Sequence, residues 1–203
     1  LLFYSSKEKH LVTFKEYIKN LKDKQDVIYY AVGESTDKID LMPQVEEVKE
    51  KGYEILYLTD YADEFVVQVL QNYDNKKFVN VASSEVNLEN EEEKKEVEKL
   101  NTESKDLLDK MKDVLKDKVT SVKFTNSLKK HPVCLTSEGA ISTGMEKVLN
   151  SMPTNEKVKA STVLSINASH QKKKKIKELY KTNPEEIEKY TKILYAQAKL
   201  IEG

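Results

Sequence analysis

The sequence predicts an α/β fold: a small three-layer α/β sheet unit followed by an α+β domain. Three apolar runs, Asp26 to Gly33, Tyr53 to Thr59 and Lys77 to Ala82, predict strands; the first is rich in β-branched and aromatic residues, as a strand covered on both faces is. Between them lie two helical patterns, one over Pro43, Val45 and Val48 and one over Phe65, Val66, Val69 and Leu70. Strands alternating with helices predict a largely parallel sheet with right-handed crossovers. In the second half, short strands at Val119 to Phe124, Val133 to Thr136 and Thr162 to Asn167 are interleaved with helical stretches, which is the α+β pattern.

Each element has a local reason. Leu1 to Tyr4 is too short and lacks the basic flank of a secretion signal, so it reads as a strand whose preceding chain has been cut away, and the chain as a fragment. Thr13 with Glu16 makes a capping box, opening a helix whose apolar stripe is Phe14, Tyr17, Ile18 and Leu21. Gly52 ends the helix that Pro43 begins, because glycine tolerates the left-handed conformation that closes helices. From Ser83 to Glu96 the composition turns polar and acidic with no recurring apolar face, which sets the expected division at 1–84 and 85–203 and allows a bend there. Leu107, Leu108, Met111, Val114 and Leu115, reaching back to Val97 and Leu100, predict one long helix. The strands at Val119 to Phe124 and Val133 to Thr136 predict a hairpin, with Pro132 at a strand start. Residues 141 to 151 predict a short helix and Met152 to Glu156 a loop. Two helices close the chain. The last has Asn183 as cap, Pro184 at its first position and Glu185 and Glu186 at the positive end of its dipole, with Ile187, Tyr190, Leu194, Gln197, Ala198 and Ile201 on one side.

With 203 residues there is room for two cores. The 34 basic and 35 acidic residues give a net charge of -1, which argues against a dominant field drawing the whole molecule to nucleic acid or an anionic membrane and points to protein partners. A charged fraction of 34% and a mean hydropathy of -0.64 fit a soluble surface. No apolar run approaches the roughly 20 residues needed to span a bilayer. The single Cys134 excludes an internal disulfide and is compatible with a reducing, cytoplasmic compartment.

The sequence offers little chemistry. No phosphate-gripping loop follows any predicted strand. His10, His131 and His170 are far apart, no H-E-x-x-H is present, and the one thiol lies in a predicted strand between Val133 and Leu135, where buried inert cysteines belong. Asp63 with Glu64 and Glu185 with Glu186 read as solvated helix ends. The run Lys172 to Lys175 lacks interleaved aromatics and reads as a solvated basic helix face rather than a nucleic-acid site. No catalytic, cofactor or metal residue is assigned. The alternative is a small-molecule enzyme using the crevice at the carboxyl ends of the parallel strands, near Gly33-Glu34-Ser35 and Thr59-Asp60.

The more informative candidates are apolar: Phe65, after Asp63 and Glu64, and the stripe Ile141, Met145, Val148 and Leu149 between Gly139 and Pro153. From periodicity alone the favoured reading is that both stripes simply pack into their own domains. The other reading is an exposed adaptable surface, for which methionine is suited because its unbranched, polarizable chain repacks cheaply against varied apolar partners.

A set of short matches in order adds a family resemblance to these two readings. Glu16-Tyr17, Lys22, Gln25, Ile28-Tyr29-Tyr30, Gly33-Glu34-Ser35, Lys51 through Asp60 and Asp63-Glu64-Phe65 resemble the middle domain of the 90-kilodalton heat-shock protein chaperones, most of all the bacterial high-temperature protein G type. The likeness continues through Lys76-Lys77-Phe78, Leu128, Pro132, Ser142-Thr143, Met145-Glu146, Leu164, Ile166-Asn167, His170, Leu194-Tyr195 and Gln197-Ala198, covering nearly the whole chain. The resemblance implies an ATP-driven homodimeric chaperone, represented here by the end of its middle domain and most of its C-terminal dimerization domain. It places the ATP- and magnesium-binding domain, and a middle-domain arginine used on the ATP phosphate, before Leu1, so this stretch is expected to be catalytically silent and without a cofactor. It places client binding on Glu64, Phe65 and Gln68 and on Ile141, Met145, Val148 and Leu149, and dimerization on Tyr190, Leu194, Gln197, Ala198 and Ile201. One further helix is implied after Gly203, so the homodimer is expected to be weakened or absent in this chain. The implied partners are unfolded or partly folded client proteins, with no nucleic acid and no membrane, in the cytoplasm.

Overall fold

The computed structural model describes residues 1–23, 25–84, 86, 88, 90–153, 157–169 and 172–202. Glu85 at the expected division, loop residues Thr154 to Glu156, His170, Gly203 and the side chain of Lys172 lie outside the described residues. In chain order the elements are β1 (Phe3–Ser5), β2 (Leu11–Val12), α1 (Phe14–Lys19), β3 (Val27–Val32), α2 (Thr36–Asp40), α3 (Pro43–Glu50), β4 (Leu56–Leu58), α4 (Tyr61–Leu70), β5 (Asn72–Tyr73), β6 (Lys76–Asn80), α5 (Glu91–Glu103), α6 (Lys105–Leu115), β7 (Ser121–Thr125), β8 (Val133–Glu138), α7 (Thr143–Ser151), β9 (Ser161–Asn167), α8 (Lys172–Thr182) and α9 (Pro184–Glu202). They form two compact units, Leu1–Val86 with Gly139–Ala160, and Asn87–Glu138 with Ser161–Gly203. The segment carrying α7, assigned from sequence to the second domain, groups with the first.

In the first unit the sheet runs β2-β1-β4-β3-β6-β5. Its centre is parallel, with Tyr30 opposite Leu56 and Ile28 opposite Phe78. Its margins are antiparallel: β1 pairs with β4, and β5 with β6. The largely parallel sheet expected from the sequence is therefore mixed. The two-residue strands β2 and β5 are too short to show a period; β5 is instead held by a tight turn in which Asp74 and Asn75 both have positive φ, 50° and 60°. That is the backbone a two-residue hairpin needs to match strand twist.

α1 closes its capping box as the sequence predicts: the Thr13 N–H donates to Glu16 Oε2 at 2.8 Å and the Glu16 N–H to Thr13 Oγ1 at 3.2 Å. Behind α3, Gly52 sits at φ +74°, its N–H bonds the Lys49 carbonyl and the Tyr53 N–H bonds the Val48 carbonyl, which is the paired Schellman closure. Because side chains alternate across a strand, Ile28, Tyr30, Leu56 and Leu58 join Phe14, Tyr17 and Val67 on one face of the sheet. On α2 and α3, Ile39, Val45 and Val48 are fully buried, and an added Cβ on Gly33 would approach Ile39 to 2.8 Å. The three layers expected are present.

One buried carboxylate is poorly served. Glu54 accepts from Ser5 Oγ at 2.5 Å through Oε1, but among the described residues Oε2 has no hydrogen-bond partner. Burial holds this carboxyl above its ordinary value of 4.5, with the Ser5 hydroxyl opposing. The folded chain thus binds the proton more tightly than the unfolded one, and the associated stability is lost as pH rises from about 4.5 through the raised value. Glu16, Glu34 and Asp40, whose values are lowered, act at more acidic pH. We expect the urea midpoint of the first unit to fall as pH rises from 4.5 towards neutrality. Glu54→Gln, which keeps the acceptor for Ser5, should remove part of that slope, the raised Asp63 and Glu64 keeping the rest. Identical slopes in the two proteins would refute the assignment.

In the second unit the sheet order is β7-β9-β8. The hairpin expected between β7 and β8 does not form; β9 lies between them, parallel to β7 and antiparallel to β8. Periodicity marks strands but does not choose partners, and the later strand supplies Leu164 and Ile166 to the centre of the core beside Phe124 and Val133. The single long helix is likewise two, broken at Ser104 (φ -106°, ψ 12°), and the polar stretch before it is helical from Glu91. Val97 and Leu100 announce only the second half of α5, which buries no residue fully; its first turns carry no apolar position. It rests on an Asn90 cap that accepts from the N–H groups of Glu92 and Glu93, while Glu93 returns a bond to the Asn90 N–H. Its Asn101 amide pairs with both the N–H and the C=O of Phe124, at 2.8 and 3.0 Å, satisfying the free edge of β7 as a neighbouring strand would. Cys134 is buried in β8, as expected. Among the described residues no helix is long and apolar enough to cross a membrane.

Candidate functional site

Asp60 caps α4 by accepting from the Ala62 N–H, and the helix then faces two ways. Glu64 and Val67 point into the unit, each 1% exposed. Phe65, Val66 and Gln68 are half-buried, and Val69, one turn beyond Phe65, is 83% exposed. An apolar stripe on α4 is thus left partly outside its own core.

α7 packs against α4 within the same unit. Ser142 caps it, accepting from the Met145 N–H at 3.1 Å. The same hydroxyl donates to Glu64 Oε2 at 2.7 Å, while Asn80 donates to Glu64 Oε1 at 3.0 Å. Burial pushes the Glu64 carboxyl up, and these two hydrogen bonds oppose it. One turn along α4, Gln68 Nε2 donates to the Ala140 carbonyl at 2.7 Å. Met145 is 6% exposed, whereas Ile141, Val148 and Leu149 are half-buried. The structure therefore brings Glu64, Phe65, Gln68, Ile141, Met145, Val148 and Leu149 into one compact unit, with Glu64 and Met145 turned inward. Sequence reasoning missed Asn80 and Ala140 as partners of this face, and Val69 as its most exposed side chain. Ser142 was legible as a cap three residues before Met145, but nothing local announces that its hydroxyl also meets Glu64.

In the second unit, Leu194 and Ala198 of α9 are fully buried in the unit's own core with Ile187, and Tyr190 packs against that core. Gln197 and Ile201 are half-buried. The apolar side chains α9 leaves outside are others: Ile193 and Leu200, the latter 84% exposed. Beside Leu200 runs a groove of about 510 Å³ whose apolar lining is Leu115, Tyr195 and Ala196, with Lys118 and Lys192 at its rim.

Two residues at the alternative crevice serve as helix caps. Ser35 Oγ caps α2 by accepting from the Lys38 N–H, and Asp60 caps α4. Among the described residues no group of three or more His, Cys, Asp or Glu is placed to hold a metal ion.

Comparison with known proteins agrees with the residue matches. Residues 1–203 match the family model described as Hsp90 protein. Over all 203 residues the chain is 50% identical to "Chaperone protein HtpG" of Alkaliphilus oremlandii, 48% to that of Clostridium botulinum (strain Langeland) and 46% to that of Clostridium perfringens (strain 13). It spans about a third, 32%, of the length of these curated relatives. With all 203 of its residues matched by that family model, the chain belongs to the Hsp90 protein family.

Proposed function

We propose that this chain is a client-binding part of an ATP-dependent chaperone: the face built from α4 and α7 holds unfolded or partly folded proteins through apolar contacts, and α9 contributes to a homodimer. ATP and magnesium are handled by polypeptide other than these residues, and the chain itself performs no catalysis. The observation that carries the reading is the half-buried Phe65 beside Val69, 83% exposed, on a helix of a chain whose relatives are named as chaperones. An aromatic and a branched side chain left on one helix stripe form a surface that apolar segments of any sequence can cover.

Phe65→Glu and Val69→Glu test it, because both residues lie partly or largely outside the core and Met145, being buried, does not allow a charge without disturbing the fold. Each is expected to weaken binding of reduced, carboxymethylated α-lactalbumin by about tenfold, the equivalent of about 1.4 kcal/mol of lost apolar contact, with the circular dichroism spectrum unchanged. Equal binding by the variants and the parent chain rules the face out. For α9, the parts placed to meet a partner are Ile193 and Leu200, with Tyr190, Gln197 and Ile201 at the margins and Leu194 and Ala198 supporting them from within.

A further inference from the structure

By sequence position Glu64 belongs to the candidate holding face, yet its side chain cannot be touched from it: the residue is 1% exposed and both carboxylate oxygens have partners inside the unit. We propose that Glu64 is a latch that docks α7 onto α4, and that docked α7 keeps Met145 away from clients. The shielding half rests on the client-holding reading above; the latch itself does not.

Two polar contacts between the segments lie close together. Ser142 Oγ donates to Glu64 Oε2 and Gln68 Nε2 donates to the Ala140 carbonyl, each at 2.7 Å. Glu64 and Gln68 are one helical turn apart on α4, and Ala140 and Ser142 lie together in the approach to α7, so the pair acts as a single clasp. α7 does not depend on that clasp for its own structure. Its cap is the Ser142 oxygen accepting from Met145, and its side chains tie it to the irregular segment that follows within the same unit: Glu146 Oε2 accepts from the Ala160 N–H at 2.8 Å, and the Asn150 amide pairs with both backbone groups of Val158. It is therefore a braced body. At its entry stands Gly139 at φ +80°, where an added Cβ would meet nothing within 4 Å, so the approach is not wedged in place. The clasp itself is finely balanced, because the strong hydrogen bonds of a carboxylate are set against the cost of burying it. A contact of that kind opens without unfolding the sheet behind it.

Glu64→Ala in the 203-residue chain tests the latch without touching the α7 cap. Amide exchange followed by mass spectrometry is expected to be about tenfold faster over Thr143–Ser151, with β3 and β4 unchanged. Unchanged exchange in α7 overturns the latch. Should β3 and β4 quicken equally, the whole unit has loosened and Gln68→Ala decides: a few-fold faster exchange confined to α7 supports the latch and none overturns it. The second readout is the affinity for reduced, carboxymethylated α-lactalbumin, expected to rise about threefold in Glu64→Ala as Met145 becomes reachable. A residue with only a structural role would lower it. Faster α7 exchange without that rise overturns the shielding. If Phe65→Glu is also without effect, the client-holding reading fails and the latch stands.

Discussion

Replacing Tyr17 with phenylalanine is expected to cost the first unit about 3 kcal/mol, because two or three buried polar groups lose one shared partner. Tyr17 is fully buried; its hydroxyl donates to the Glu54 carbonyl at 2.8 Å and accepts from the Tyr29 N–H at 3.1 Å and from Gln25 Nε2 at 3.3 Å. One oxygen thereby ties α1 to β3 and to the segment entering β4. Phenylalanine keeps the ring and its packing, so the measured loss isolates the hydroxyl. A buried N–H or C=O without a partner costs about 1–3 kcal/mol, and a domain's total stability is only about 5–15 kcal/mol. Burial also pushes the phenol far above its usual range, so it stays a donor throughout the accessible pH range. Urea unfolding of Tyr17→Phe beside Tyr73→Phe, a tyrosine 37% exposed rather than fully buried, provides the comparison. A loss below about 0.5 kcal/mol at Tyr17 would mean that the three partners find other acceptors and donors on relaxation.

That hub shows what kind of information the sequence carried. Tyr17, Gln25, Tyr29 and Glu54 are all among the residues on which the family resemblance rests, and in the structure they form one buried hydrogen-bond network rather than a surface. The parallel centre of the first sheet was legible because β3, β4 and β6 are apolar runs separated by helices, and α1 and α3 because their caps are local patterns. β2 and β5 were not, being two residues long and fixed by turn geometry and pairing. The second half of α5 was legible through Val97 and Leu100, but its polar start was not, because no apolar residue marks it; the Asn90 and Glu93 box is the local signal there. At the candidate site the helices and their apolar positions followed from spacing, but the inward direction of Glu64 and Met145 followed from α7 packing on α4, a contact between residues 78 apart in the chain at Ser142 and Glu64. Helical periodicity finds a stripe; it does not say whether the stripe meets the unit's own core or a partner.

α9 allows that distinction to be measured. The stripe read from sequence includes Leu194, which is fully buried among the second unit's own core residues, whereas Leu200 is 84% exposed. Leu194→Ala is expected to destabilise the second unit by about 3 kcal/mol, the usual size for removing a buried leucine and leaving part of its volume empty. Leu200→Ala is expected to change stability by less than about 0.5 kcal/mol, as for surface positions in general. Self-association should respond in the opposite order. If light scattering across a concentration series shows the chain pairing, Leu200→Ala together with Ile193→Ala should weaken it, because those side chains are the ones α9 presents outside its unit. Leu194→Ala should weaken it only in proportion to the unfolded fraction. The reverse result, a stable Leu194→Ala that no longer pairs, would place the partner surface on the stripe and require α9 to turn out of its own core when two copies meet.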